Sequence, residues 1–124
     1  MATLTAGAAW GQSDGTASEE HHARWAGWAG MTGMAVTATA VDVALSRHCE
    51  RTYAGCREGN PLLPRSAAGT WAVEASLTGG LALWSRHMER ERSRWWRLPL
   101  LGMIGAHAVG AGSAWIAMRR LGKR

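Results

Sequence analysis

His107 is the residue whose position points most directly to chemistry, because an imidazole within an apolar segment can ligate a cofactor or exchange a proton. It lies in a stretch without any charged residue, from Leu98 to Met118. Small residues surround it in the sequence: Gly105, Ala106, Ala108, Gly110 and Ala111. They leave room for a flat tetrapyrrole, so His107 is a candidate axial ligand of haem or chlorophyll. The alternative is a neutral His107 that is hydrogen-bonded to a neighbouring helix.

Two acidic residues, Asp42 and Glu74, also fall in apolar stretches, where an ionisable side chain usually faces a bundle interior, a partner or water. Both lie near the loop of residues 47–66 (the first loop), roughly 6 and 10 Å below the membrane surface at about 1.5 Å per helical residue. If they meet and share a proton, they suit an ion or proton path. The alternative is a structural role, with each carboxylate neutralised by Arg47 or Arg65.

The other candidate groups are two cysteines and two adjacent histidines. Cys49 and Cys56 would close a small disulfide if the first loop faces an oxidising compartment, and two free thiols are the alternative. His21 and His22 point in different directions, so we expect them to be solvated rather than to hold a metal ion. The chain has no glycine-rich phosphate loop, His-Glu-x-x-His, Cys-x-x-Cys or Gly-x-Ser-x-Gly motif. We therefore expect no catalytic residue, no metal site and no enzymatic activity.

Three apolar stretches must position these groups, and each is about 20 residues long, enough to cross a hydrocarbon core of about 30 Å as a helix. The sequence thus predicts an all-α integral membrane protein with three transmembrane helices, at about residues 25–46, 67–86 and 98–119. A polar N-terminal tail (1–24) precedes this single domain (25–124). A soluble three-helix bundle is the alternative, because the mean hydropathy is only −0.16.

Basic residues and tryptophans flank the apolar stretches. A net charge of +5 is compatible with nucleic-acid binding, but the arginines lie almost entirely in the loops and tails, so we expect no nucleic-acid partner. All but one of the eight tryptophans lie near stretch ends, as in the aromatic belts of membrane proteins. Trp25, Trp28, Trp84, Trp95 and Trp96 fall at one predicted membrane face, with the loop of residues 86–97 (the second loop), and Trp71 and Trp115 fall at the other.

Small residues at four-residue spacing form ridges, which let helix backbones approach closely in lipid. The ridge of the third stretch is Gly102, Ala106, Gly110 and Ala114, and that of the second is Ala72, Ser76 and Gly80. We expect these ridges to contact other helices, within the chain or in a partner. Close packing of this kind leaves little room for a large enclosed cavity.

The first loop contains a short motif, Glu58-Gly59-Asn60-Pro61-Leu62, whose Asn-Pro step ends a helix and forces a turn. With Asp42 at the end of the first span, this arrangement resembles a family of small bacterial membrane proteins of unknown function, in which two further spans follow. The resemblance covers residues 25–118. The family has an Asn late in its last span, where this chain has Ser113. The resemblance implies a fold and a membrane location, and no reaction.

The sequence therefore predicts a small, non-enzymatic protein of the bacterial inner membrane. We expect an accessory or structural subunit that contacts lipids and other membrane subunits, with no cofactor. The N-terminus is placed inside and the first loop outside, although basic residues are nearly balanced across the membrane. The alternatives are a haem- or chlorophyll-binding subunit with His107 as ligand, and an ion or proton path built on Asp42 and Glu74.

Overall fold

The computed structural model describes residues 13–57 and 63–121. These residues form three helices and no strand: α1 (Ser13–Thr52), α2 (Ala67–Arg90) and α3 (Leu98–Arg120). Arg24, near the start of α1, contacts Glu89 near the end of α2, so these two helices are antiparallel. The all-α, three-helix prediction is thus confirmed for the described part of the chain.

Local signals at the helix starts explain where α2 and α3 begin. Ser66 caps α2, its side chain accepting a hydrogen bond from the backbone N–H of Gly69 at 3.1 Å. A Cβ on Gly69 would lie 2.7 Å from Pro64, so this close approach requires glycine. A proline, Pro99, stands in the first turn of α3, where its missing N–H costs nothing.

The first helix differs from the prediction at its start. α1 begins at Ser13 and has 40 residues, about 60 Å at about 1.5 Å per residue. Residues 13–24 therefore continue the helix, and the predicted polar tail does not form a separate segment over that range. This extension places Arg24 beside the end of α2. Residues 1–12 of the predicted tail lie outside the described residues.

Two of the three helices, within Gly15–Thr52 and Leu98–Arg120, are long and apolar enough to cross a membrane. α2 has 24 residues and is long enough, but its most apolar stretch has a lower hydropathy than those of the other two helices. Its polar residues account for the lower hydropathy, and their position in the bundle is described below.

The interior of the bundle holds a small apolar cluster of Ala35, Ala82, Leu100 and Met103. The other buried side chains are largely polar: Thr39, Thr70, Glu74, Thr78, Ser85, Glu89 and His107. Large apolar side chains lie outside instead, among them Leu83 and Val109, each 71% exposed. This distribution is the reverse of that in a helix packed on a water-soluble core, where the apolar stripe faces inward.

The small-residue ridges make few contacts within the chain. Ala72, Ser76 and Gly80 are all exposed, on the side of α2 that faces away from the bundle. On α3, Gly110 lies against Asp42, and the carbonyl oxygen of Ala114 lies 3.9 Å from Cys49 Sγ. Gly102 has open space beside it, whereas Ala106 lines a cleft described below.

Candidate functional site

One face of α2 contains all of its buried residues, spaced three or four apart: Thr70, Glu74, Thr78, Ala82, Ser85 and Glu89. Each of them, through its side chain or its backbone, contacts a polar group outside its own helical turn. Thr78 and Thr39 share a hydrogen bond at 3.2 Å, and the Ala82 carbonyl accepts one from Trp28 Nε1 at 3.1 Å. Ser85 donates to the carbonyl of Trp96 at 2.6 Å. The buried polar groups of α2 therefore join the three helices along their length.

The centre of this face is a triad with one residue from each helix. A hydrogen bond of 2.7 Å joins Nδ1 of His107 to Oδ2 of Asp42. The other ring nitrogen, Nε2, lies 3.4 Å from Oε2 of Glu74. His107 and Glu74 are buried, at 7% and 8% exposure. The sequence placed Asp42 and Glu74 on the same side of the membrane, and the structure brings both of them to His107.

Asp42 is held from several sides. A Cβ added to Gly110, one turn after His107, would lie 2.6 Å from both carboxylate oxygens of Asp42, so only glycine leaves room for this contact. The hydroxyl of Ser46 donates a long hydrogen bond of 3.4 Å to Oδ1 of Asp42. Glu74, in contrast, accepts no hydrogen bond from any described residue, and its one polar contact is the ring of His107.

A cleft of about 670 Å³ runs from the first loop down to the triad. Arg57 and Leu63 line its outer part, and Met103 lines its inner end, one turn beyond His107. Three of the four α3 ridge residues, Ala106, Gly110 and Ala114, line the cleft as well. The small side chains that were expected to close the interior thus leave the triad beside an open volume.

The sequence suggested Arg47 as a residue that could neutralise Asp42 or Glu74. In the structure, Arg47 contacts other groups. Its guanidinium donates to the carbonyls of Pro64, Arg65 and Ser66, each at 3.1 Å, and contacts the Thr70 hydroxyl. It also pairs with Glu50 at 3.1 Å. Arg47 therefore ties α1 to the start of α2. The partner of Asp42 is a histidine because α3 packs against α1 at this level.

A second charged cluster lies at the other end of α2. Glu89 accepts a hydrogen bond from Nε of Arg24 at 3.0 Å, and it also pairs with Arg86. Arg24 donates in addition to the backbone carbonyl of Glu89 at 2.6 Å. Sequence reasoning missed this cluster because these charges lie at stretch ends. The available signal was the spacing of Glu89 from Glu74, about four helical turns, which places both on one face.

The two cysteines are joined. Cys49 and Cys56 form a disulfide with a Cα–Cα distance of 5.7 Å, which links the end of α1 to the first loop. The sequence left a disulfide and free thiols as equal alternatives. The loop motif residues Glu58, Asn60 and Pro61, together with Leu62, lie outside the described residues.

The contacts of His107 with Asp42 and Glu74 compete with ligation of a cofactor. Both ring nitrogens face carboxylate oxygens, so axial ligation of a tetrapyrrole requires either Asp42 or Glu74 to move away. Within the described ranges, no group of three His, Cys, Asp or Glu side chains has an arrangement that could hold a metal ion. Haem or chlorophyll binding at His107 stays a prediction.

The triad and its cleft therefore consist of a buried histidine between two carboxylates, beside a volume that reaches the first loop. This arrangement can hold and exchange protons, and it can also fasten three helices together. The resemblance to small bacterial membrane proteins rests on Asp42 and on the loop motif, which lies outside the described residues, and it stays a prediction. No known family model, curated protein or solved structure matches the chain.

Proposed function

We propose that the protein crosses the membrane three times, with α2 as the second span. The observation that carries this proposal is the orientation of α2, whose buried polar residues face the bundle and have partners there: Thr70, Glu74, Thr78, Ser85 and Glu89. Leu77, Leu83 and Trp84 lie on its exposed surface. A polar group inside the protein does not have to be transferred into lipid, so the modest hydropathy of α2 is compatible with a transmembrane helix.

The exposed tryptophans support the same placement. Trp25, Trp84 and Trp95 are each at least half exposed near the second loop, and Trp71 and Trp115 are exposed near the first loop. Two such levels of exposed indole rings suit the two interfaces of a bilayer, where an apolar ring with one N–H group is favoured. A bacterial inner membrane, with the N-terminus inside, is the location we propose.

Within that membrane, we propose a non-enzymatic role as an accessory or structural subunit of a larger complex. The support is the exposed ridge Ala72, Ser76 and Gly80. A glycine in a helix costs up to about 1 kcal/mol relative to alanine, and a Cβ on Gly80 would meet nothing within 4 Å, so no close contact with a described residue requires glycine there. Close approach of another subunit's helix would use this small-residue surface.

The topology is tested by resistance to alkaline carbonate extraction and by reporter fusions with known sidedness. Reporters are placed in the first loop near Arg57, in the second loop near Arg92 and at the C-terminus. Three spans predict that the first-loop and C-terminal reporters are active on one side, and the second-loop reporter on the other. Two loops on the same side would contradict a membrane-spanning α2, and complete release by carbonate would favour the soluble bundle.

The accessory role is tested by purifying the tagged protein from its host membranes in mild detergent and identifying the proteins that elute with it. A double substitution on the ridge, Ser76→Leu with Gly80→Leu, should release a stoichiometric partner. Gly112→Leu is the matched control, because Gly112 also has open space beside it but lies on α3, outside the ridge. A colourless protein that elutes alone would contradict the proposal. A visible absorption band lost in His107→Ala would favour the pigment-binding alternative.

A further inference from the structure

We infer that the triad is a proton-binding site in which Nε2 of His107 and Oε2 of Glu74 hold one exchangeable proton between them, and that this proton exchanges through the cleft with the first-loop side. The inference goes beyond the accessory role proposed above. It also narrows the ion or proton path that the sequence suggested to a site that is reached through the cleft.

The hydrogen-bond donors and acceptors of the triad do not match unless an additional proton is present. A neutral imidazole has one N–H group and one lone pair, whereas an ionised carboxylate has only acceptors. If the ring proton is on Nδ1, it serves Asp42 at 2.7 Å, and the Nε2 lone pair then faces a Glu74 oxygen at 3.4 Å. If the ring proton is on Nε2 instead, the Nδ1 lone pair faces the Asp42 oxygen, and two acceptors then lie only 2.7 Å apart. One additional proton, on the ring or on a carboxyl group, removes the conflict in either case.

Glu74 is isolated from hydrogen-bond donors among the described residues. Its side chain is nine-tenths buried, it lines the cleft, and no described residue donates a hydrogen bond to it. A buried carboxylate without donors loses its hydration and regains little in return. A proton at the His107 contact supplies the missing donor. The isolation of Glu74 therefore indicates the same location for the proton as the donor count does.

The charged residues around the triad do not neutralise its two carboxylates, so the additional proton does. From α1, Arg47 and Glu50 line the same cleft, but they pair with each other. From the first loop, Arg57 lines the cleft, and Glu74 is the one charged residue that α2 contributes to the lining. Apart from His107, α3 contributes no titratable side chain to the lining. The proton adds one positive charge to a group that otherwise holds two carboxylates and a neutral ring.

In the proposed topology, the layers beyond the triad place the proton entrance on the first-loop side. Away from the first loop, Thr39 and Thr78 hydrogen-bond to each other at 3.2 Å. The next layer is the apolar cluster, in which Ala35 and Leu100 are completely buried. The cleft therefore ends at an apolar barrier. A second volume of about 600 Å³ also reaches His107, between α1 and α3, but apart from Thr37 its other lining residues are apolar. Proton uptake forms one N–H or O–H bond from a lone pair of the triad, and release reverses it without any redox step.

The test is nitrogen-15 NMR of the full-length protein labelled at histidine, in lipid nanodiscs, with His107→Gln used to assign the His107 signals among the five histidines. We expect the Nε2 signal of His107 to be that of a nitrogen that shares a proton with a carboxylate. Glu74→Gln removes that carboxylate, so the shared proton should be lost and the His107 ring should carry a single proton. The matched control, Glu91→Gln, removes an exposed acid at the end of α2 and should leave the His107 signals unchanged.

Two results would overturn the site. One is a His107 Nε2 that shares no proton with a carboxylate in the unaltered protein, and the other is an unchanged Nε2 signal in folded Glu74→Gln. If that variant does not fold, the His107 spectrum of the unaltered protein decides. Liposomes that contain the protein and an internal pH dye should leak protons no faster than protein-free liposomes. Faster leakage that is lost in Glu74→Gln would replace the one-sided site by a path across the membrane. Neither result depends on whether a partner subunit binds the ridge.

Discussion

Glu74 and Glu89 lie on the same face of α2, and both are buried, at 8% and 4% exposure, yet their surroundings differ. Glu89 is paired with Arg24 and Arg86, and its carboxylate accepts hydrogen bonds from both. Glu74 has a single polar neighbour, the ring of His107 at 3.4 Å, and accepts no hydrogen bond from the described residues.

The difference lies in the partners. Arginine keeps its charge at every pH that a protein tolerates, so the cluster at Glu89 has a constant charge and serves to hold α1 and α2 together. Histidine gains or loses its charge near neutral pH, so the charge at Glu74 depends on a proton. A buried carboxylate on this helix therefore has a structural role where its partners are arginines. Where its partner is a histidine, it can take part in binding a proton.

The largest effect is expected from Glu89→Gln, which leaves two arginines without their carboxylate in the bundle. Breaking a buried ion pair by removing one partner typically costs about 3–5 kcal/mol. We expect a loss of stability near the lower end, because the Arg24 side chain remains 28% exposed. Thermal unfolding in detergent, followed by circular dichroism, measures it. The exposed neighbour provides the control, because Glu91→Gln should leave the unfolding temperature unchanged.

An intermediate effect is expected from Gly110→Ala, because the new methyl group would lie 2.6 Å from the Asp42 carboxylate. Overpacking of this kind costs about 1–3 kcal/mol, and it should also displace Asp42 from its hydrogen bond with His107. Gly112→Ala is the matched control, since a Cβ there meets nothing within 4 Å. That control should gain up to about 1 kcal/mol from helix propensity. Equal unfolding temperatures for the two variants would show that the contact between Gly110 and Asp42 does not hold the triad.

The smallest effect on stability is expected from Glu74→Gln. The new amide can donate to Nε2 of His107 in place of the shared proton, so the contact between α2 and α3 is kept and we expect a change of about 1 kcal/mol or less. The same unfolding experiment measures it. A destabilisation as large as that of Glu89→Gln would contradict the contrast between the two glutamates and would assign the triad a purely structural role.

Properties of single segments were sufficient for the starts of two helices. The apolar stretches predicted starts at about residues 67 and 98, and α2 and α3 begin at Ala67 and Leu98. The start of α1 was missed because residues 13–24 are polar and lack an apolar stripe. Their helix is continuous with the span and is fastened to α2 by Arg24.

The sequence also placed Asp42 and Glu74 at similar depths, because depth follows from counting residues at a constant rise per residue. It did not indicate that both would meet His107, which is 65 residues from Asp42 along the chain. Contact requires each side chain to point toward the helix that carries its partner. That rotation follows from packing between helices, as in the approach of Asp42 to Gly110. Composition and length are properties of one helix at a time, whereas the triad and the ion pairs of Glu89 exist only where neighbouring helices pack together.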